Sequence, residues 1–269
     1  MNDLNVKKNN NLIDISIGKN FFAPKCKDRN ENFDKRNSHA IYYDVCNFKC
    51  LFCNHGLKLS SKHHYMKLKE FEEKVIELLN SSIMFKFTGG EPCMNTHLED
   101  MLKIVKNHNG IVFLDTNGSY TDKIKLLIDK NLIDVLGISL KGLNKDEAVK
   151  TSGIKNEKLC WDNALETIKY ASQKKNIRTI ITYVAYNDFN YKNIVQLSKI
   201  LDNYGKNIFL KINNLCGSLH RDNTLKPLDV NKLNEMIEKF EIENPKWKGR
   251  IILIESSEGV TQYSSIKFL

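Results

Sequence analysis

Runs of β-branched and aromatic residues alternate with segments of helical period along most of this chain, and that alternation narrows the possible folds more than any other feature. The extended runs are Ala40-Ile41-Tyr42-Tyr43, Met84-Phe85-Lys86-Phe87, Ile111-Val112-Phe113-Leu114, Val135 to Leu140, Arg178 to Val184 and Ile208-Phe209-Leu210-Lys211-Ile212. Between them apolar residues recur at three- and four-residue spacing, which gathers them on one helix face. Leu68, Phe71, Val75, Leu78 and Leu79 make the first face, and Leu98, Met101, Leu102 and Val105 the second. Ile124, Leu127 and Ile128 make the third, with Thr121 positioned to cap it. A longer connection follows, read as a loop at Thr151-Ser152-Gly153, before a face of Ala164, Leu165, Ile168 and Ala171. Ile194, Leu197, Leu201 and Tyr204 come next, with Gly205 where a helix stop belongs. Leu228, Val230, Leu233, Ile237 and Phe240 trace a last helix that Pro245 ends.

Strands joined in series by helices require a parallel sheet with helical crossovers. Six strand-helix units fall short of the eight that close a barrel. The expected fold is therefore α/β, a partial (β/α)6 TIM-like barrel with short terminal additions; an open doubly wound sheet is the alternative. Residues 1–38 read as an N-terminal extension, 39–246 as the core domain, and 247–269 as a C-terminal strand (Ile251 to Ile254) and tail.

With 269 residues, 41% of them apolar, the chain can bury a sizeable core. No apolar run reaches the length needed to cross a bilayer, and the polar segment Met1 to Asn11 lacks the apolar stretch of a signal peptide. A cytoplasmic protein without membrane contact is expected. The net charge of +9 is carried almost wholly by scattered Lys, with Arg only at 29, 36, 178, 221 and 250. Base readout and bidentate phosphate clamps favour Arg, so a nucleic-acid partner is disfavoured against a solvated basic surface. An anionic small molecule or an acidic peptide stays open.

An odd count of seven cysteines argues against a disulfide framework, and three of them crowd into eight residues. The segment is Asp44-Val45-Cys46-Asn47-Phe48-Lys49-Cys50-Leu51-Phe52-Cys53, directly after the first strand. Thiolate is the soft ligand of iron–sulfur clusters, and three thiolates on a four-iron cluster leave one iron open. On the cysteines alone, a zinc site with His55, His63 or His64 as fourth ligand is an equal alternative.

This spacing, C-x3-C-x2-C with an aromatic (Phe52) before the third cysteine, resembles the radical S-adenosylmethionine (radical SAM) superfamily. The second strand ends Phe87-Thr88-Gly89-Gly90-Glu91-Pro92, similar to the family's GGEP motif, which receives the cofactor's methionine amino group. Asp115-Thr116-Asn117-Gly118 and Ser139-Leu140-Lys141-Gly142 close the next two strands and resemble the branch that includes glycyl-radical activating enzymes. The resemblance implies cluster ligands Cys46, Cys50 and Cys53, and a cofactor site of Phe52, Gly89, Gly90, Glu91, Pro92, Asn117, Ser139, Lys141 and Val184. Ser139 departs from the Asp common at its position, whereas Lys141 matches the family's Lys.

The resemblance further implies reductive cleavage of S-adenosylmethionine by a 4Fe-4S cluster, with a flavodoxin- or ferredoxin-like electron donor. The resulting 5′-deoxyadenosyl radical would abstract hydrogen from a substrate, with a peptide or protein (activase or epimerase) preferred. Radical modification of a nucleotide, sugar or tRNA is the second reading, and a zinc-binding protein without turnover the third. Cys26, Cys93, Cys160 and Cys216 do not cluster, which disfavours a second iron–sulfur site. Cys216, after the sixth strand, is the candidate catalytic hydrogen-atom donor of an epimerase, set against a small buried core residue, with Cys93 the alternative donor.

Overall fold

A computed structural model describes residues 12–14, 16–20, 38–53, 65–215, 220–256 and 260–264. Its strands are β1 (Leu12–Asp14), β2 (Ser16–Asn20), β3 (Ser38–Tyr43), β4 (Tyr65–Lys67), β5 (Met84–Gly89), β6 (Ile111–Thr116), β7 (Val135–Ser139), β8 (Arg178–Ala185), β9 (Ile208–Asn214), β10 (Ile251–Ser256) and β11 (Val260–Ser264). The helices are α1 (Leu68–Leu79), α2 (Leu98–Asn107), α3 (Thr121–Asp129), α4 (Lys145–Ser152), α5 (Asn163–Ser172), α6 (Tyr191–Leu201) and α7 (Val230–Glu243). Strands β3, β5, β6, β7, β8, β9 and β10 lie parallel in that order, each crossover carrying helix. β2 pairs antiparallel with β3 at one edge and β11 with β10 at the other, and the sheet does not close.

The sheet is curved, and its side chains show it. Phe113, Ile180, Ile252 and Ile254 pack in one cluster with Met84, Val135 and Phe209, so residues from β5 through β10 meet on one face. A flat sheet would hold β5 and β10 roughly 24 Å apart at ~4.8 Å per strand. Alternation sends the neighbouring positions outward under the helices, where Phe85, Phe87, Val112, Leu114, Leu136, Ile138 and Ile181 join the larger core. This is the partial TIM-like barrel expected from the alternation of elements, and the open doubly wound alternative falls.

Three local expectations need correction. Thr151 and Ser152 are not loop: they end α4, which Asn144 caps by accepting from the Glu147 N–H and Gly153 terminates at φ 68°. Only Ala148, Thr151 and Ser152 are buried on that helix, so it carries no apolar stripe to announce it. Thr121 does not cap α3; its hydroxyl donates to the Asn163 carbonyl at 3.1 Å and ties α3 to α5. Leu228 precedes α7, whose cap is Asp229. The small antiparallel pair β1–β4 had no sequence signal.

Candidate active site

The thiol loop leaves the C-terminal end of β3 and is held by backbone contacts on two sides. Lys49 N–H donates to the Ser152 carbonyl at 2.8 Å and Leu51 N–H to the Thr151 carbonyl at 2.9 Å, anchoring the loop on the end of α4. A Cβ on Gly153 would come within 2.6 Å of the Lys49 carbonyl oxygen, so the residue that stops α4 also admits the loop. On the other side Asp222 N–H donates to the Leu51 carbonyl at 3.0 Å, and His220 Nδ1 lies 3.1 Å from the Phe52 carbonyl.

Cys50 is buried, Cys53 half-buried and Cys46 reaches the surface. Surrounding protein nonetheless pushes the Cys46 thiol up to about 11, and burial raises Cys50, with the Lys141 ammonium opposing both shifts. Thiolates here therefore need a cationic partner. Lys141 is itself buried and stands 5.2 Å over the Phe52 ring.

The Gly-Gly-Glu-Pro turn at the end of β5 is bonded to the start of the thiol loop. Gly90 N–H donates to the Tyr43 carbonyl at 2.5 Å and Glu91 N–H to the Val45 carbonyl at 2.8 Å. A Cβ on Gly90 would sit 2.1 Å from the Val45 oxygen, and one on Gly89, at φ 101°, 2.6 Å from the Tyr43 oxygen. Both glycines are thus required by backbone meeting backbone, a tighter demand than ligand approach alone.

Glu91 is 1% exposed and its carboxylate already accepts three hydrogen bonds. The donors are Thr116 Oγ1 at 2.7 Å, Asn117 N at 2.7 Å and Cys93 N at 3.0 Å. Burial raises this carboxyl above its ordinary range while the donors pull it back. Pro92 opens the short 3-10 turn that Glu91 caps, and Lys123 Nζ clamps that turn by donating to the carbonyls of Cys93 (2.9 Å) and Asn95 (2.7 Å).

Asn117 lies at the end of β6 and bonds across to Asn47 in the thiol loop at 2.7 Å. Ser139 ends β7 and pairs in register with Thr182, while Val184 on β8 pairs with Asn213 on β9. All of these residues sit at C-terminal strand ends, the face on which barrels carry their sites. Cys93 packs in the helix-side core, 2% exposed. Cys26, Cys216, His55, His63 and His64 lie outside the described residues.

Sequence reasoning missed Asn47, Thr116 and Lys123, whose roles arise only through tertiary contact. It also passed over Lys86 and Lys211, although a lysine inside a strand run of apolar residues is itself a signal. Among the described residues no three His, Cys, Asp or Glu side chains converge on a single metal ion. A cluster that takes each thiolate on a different iron does not ask for that convergence.

The chain resembles known proteins over this same region. A putative glycyl-radical enzyme activating enzyme of Methanocaldococcus jannaschii is 27% identical over 165 residues, covering 59% of this chain and 60% of the relative. A probable GTP 3′,8-cyclase of Thermoplasma volcanium is 24% identical over 160 residues, 58% of this chain and 47% of that one. Streptococcus suis SuiB bound to S-adenosylmethionine superposes with TM-score 0.65 at 18% identity, covering 82% of this chain and 50% of SuiB, a likeness of fold. The chain thus spans about half to three fifths of these proteins. The family match itself runs over residues 40–201, from β3 through α6, and takes in both the thiol loop and the Gly-Gly-Glu-Pro turn: the chain belongs to the radical SAM superfamily.

Proposed function

We propose that Cys46, Cys50 and Cys53 hold the 4Fe-4S cluster of this radical SAM enzyme and that its substrate is a peptide or protein. Phe52, Gly89, Gly90, Glu91, Pro92, Asn117, Ser139, Lys141 and Val184 line the S-adenosylmethionine site in this reading, and a flavodoxin or ferredoxin donates the electron. The observation that carries it is the pair of backbone bonds from Gly90 and Glu91 to Tyr43 and Val45, at 2.5 and 2.8 Å, which make the thiol loop and the turn one unit. The residues fit the group: soft thiols for iron, a buried ammonium at Lys141 beside them, and a turn with no room for side chains. When bound, the cluster and S-adenosylmethionine supply one-electron, hydrogen-abstracting chemistry. The chain's own part is to hold and to exclude water. Glu91 fixes the turn to the end of β6, Lys141 offsets thiolate charge, and the apolar floor of the barrel keeps bulk solvent from the reacting face.

Membership of an enzyme superfamily leaves no place for the zinc-stabilised, non-catalytic alternative. The peptide reading is supported by the names of two Methanocaldococcus jannaschii relatives, both putative glycyl-radical enzyme activating enzymes, at 27% and 30% identity. Nucleotide, sugar or tRNA modification is the second reading, supported by the GTP 3′,8-cyclase names and by the net charge of +9. Anaerobically reconstituted protein given a reductant and a peptide deuterated at the target carbon should release deuterated 5′-deoxyadenosine. Deuterium arriving from a nucleotide and from no peptide would overturn the substrate class. No 5′-deoxyadenosine from iron-loaded protein would overturn the site.

A further inference from the structure

Above its apolar floor the barrel carries a layer of charge that the cofactor site leaves unused. Lys86 on β5 and Lys211 on β9 are 8% and 3% exposed. Lys86 Nζ lies 2.8 Å from Asp115 Oδ2 on β6, and the Thr88 hydroxyl donates to the same oxygen at 3.4 Å. Lys211 stands close enough to feel both the repulsion of Lys86 and the attraction of Asp115. In a flat sheet β5 and β9 would be roughly 19 Å apart at ~4.8 Å per strand. Curvature brings Lys211 within electrostatic reach of Lys86 and Asp115.

Thr182 is the in-register neighbour of Lys211 and shares its face, since Ile180 and Phe209, two residues earlier on each strand, both pack into the barrel floor. Thr182 is 5% exposed, and its hydroxyl has no hydrogen-bond partner. Asn213, the next inward position on β9, has an amide oxygen in the same condition. Buried polar groups are nearly always satisfied, so a bare hydroxyl beside a buried ammonium, on the mouth side of an apolar plug, is built to meet a ligand atom.

We propose that Lys86, Lys211 and Thr182 bind a carboxylate of the substrate, an acidic side chain or the C-terminus of a peptide, with the Asn213 amide accepting from a neighbouring peptide N–H. The proposal rests on the peptide reading above for the substrate's place in the barrel mouth. A carboxylate suits the layer better than a phosphate because Asp115 belongs to it and repels a dianion twice as strongly as a monoanion. Its two oxygens match a hydroxyl on one side and an ammonium on the other. Burial, and then Lys86, lower Lys211 to about 8, and an anion between the two lysines relieves that repulsion.

Acetate and inorganic phosphate serve as probes, titrated separately into the anaerobically reconstituted protein at neutral pH against chloride of matched ionic strength. Calorimetry and thermal melting follow the binding. Acetate is expected to bind saturably and raise the melting temperature, and Lys211→Met to abolish both effects. Thr182→Val, which exchanges a hydroxyl for a methyl group, should weaken acetate about tenfold or more and keeps the test open if Lys211→Met does not fold. No acetate binding, or unchanged affinity in Thr182→Val, overturns the site; phosphate binding without acetate overturns the carboxylate. Release of 5′-deoxyadenosine by the wild-type protein is read in parallel. Cleavage without acetate binding removes this inference alone, whereas acetate binding without cleavage removes the cofactor assignment and leaves the carboxylate site standing.

Discussion

The side-chain amide of Asn117 donates to the side-chain Oδ1 of Asn47 at 2.7 Å, joining the end of β6 to the middle of the thiol loop. Asn47 donates in turn to Ser119 Oγ at 2.9 Å, and Asn117 Oδ1 accepts from the Ser119 N–H at 2.9 Å. Asn47 stands between Cys46 and Cys50, so its side chain sets where two of the three thiols lie. Each such bond contributes about 1 kcal/mol. Asn47→Ala should still fold and load iron, but lose it to a chelator roughly fivefold faster or more. Iron release timed against an absorbing chelator checks this; equal rates would show that the network does not hold the loop.

Reconstituted protein should bind about four irons per chain. Replacing Cys46, Cys50 and Cys53 together by Ala should abolish iron binding, while Cys93→Ala and Cys160→Ala should retain it, because both side chains are buried and neither belongs to the C-x3-C-x2-C loop. Iron retained by the triple variant, or tight zinc in place of iron, sinks the ligand assignment.

Glu91→Gln separates two roles. Three donors converge on the carboxylate, and a glutamine would turn its own NH2 against at least one of them. A buried donor left unpaired costs about 1–3 kcal/mol, so the variant should melt several degrees lower. It should also bind S-adenosylmethionine about tenfold more weakly, with iron content unchanged. Lys141→Met should weaken the cofactor to a smaller degree without the same loss of stability. Calorimetry and melting curves on both variants give the split. Unaltered melting of Glu91→Gln would contradict the buried acceptor geometry.

The barrel was legible because β3 and β5 through β10 each show an extended run and most crossovers an apolar helical stripe. α4 was hidden because its buried face is Ala148, Thr151 and Ser152, whose hydroxyls look like loop chemistry. β1 and β4 were hidden because three residues carry no period. At the site, the motifs located Cys46, Gly90 and Glu91 but not what holds them. The donors to Glu91 come from Thr116 and Asn117, more than twenty residues on, and no local pattern specifies such a pairing. The glycines were seen as making room for a ligand, when the nearest obstruction is the backbone of Tyr43 and Val45. Lys86 and Lys211 stood in view within their strands, yet only sheet curvature puts β5 opposite β9.

Cys216 is tested through the fate of the substrate radical. Cys93, the other candidate donor, packs in the helix-side core with its thiol 3.8 Å from the Thr116 hydroxyl. If Cys216 returns a hydrogen atom, turnover in deuterium oxide should leave one deuterium at the reacted carbon. Cys216→Ala should then release 5′-deoxyadenosine but no inverted product. Inverted product from that variant would show that Cys216 is not the donor, and no inversion even in the wild type would favour an activase, which leaves the radical on its partner.

The charge layer also predicts how stability follows pH. Burial alone would raise the Asp115 carboxyl, but Lys86, Lys211 and Lys141 outweigh it and hold the group at about 2, against an ordinary 3.8. The folded value lies below the unfolded one, so this stabilisation is fully present above 3.8 and is lost as pH falls through about 2. Lys211 works on the alkaline side. Burial and Lys86 lower it to about 8 from 10.5 while Asp115 opposes them. Between those values the unfolded chain binds more protons than the folded one, so stability rises with pH there. Urea unfolding of cluster-free protein, where acid has no iron to release, should show both windows. Asp115→Asn should flatten the loss between 3.8 and about 2, and Lys211→Met the rise between about 8 and 10.5. Groups elsewhere titrate alike in variant and wild type and cancel in the difference. Parallel curves for Asp115→Asn and wild type below 3.8 would mean that Lys86 and Lys211 do not hold that carboxylate.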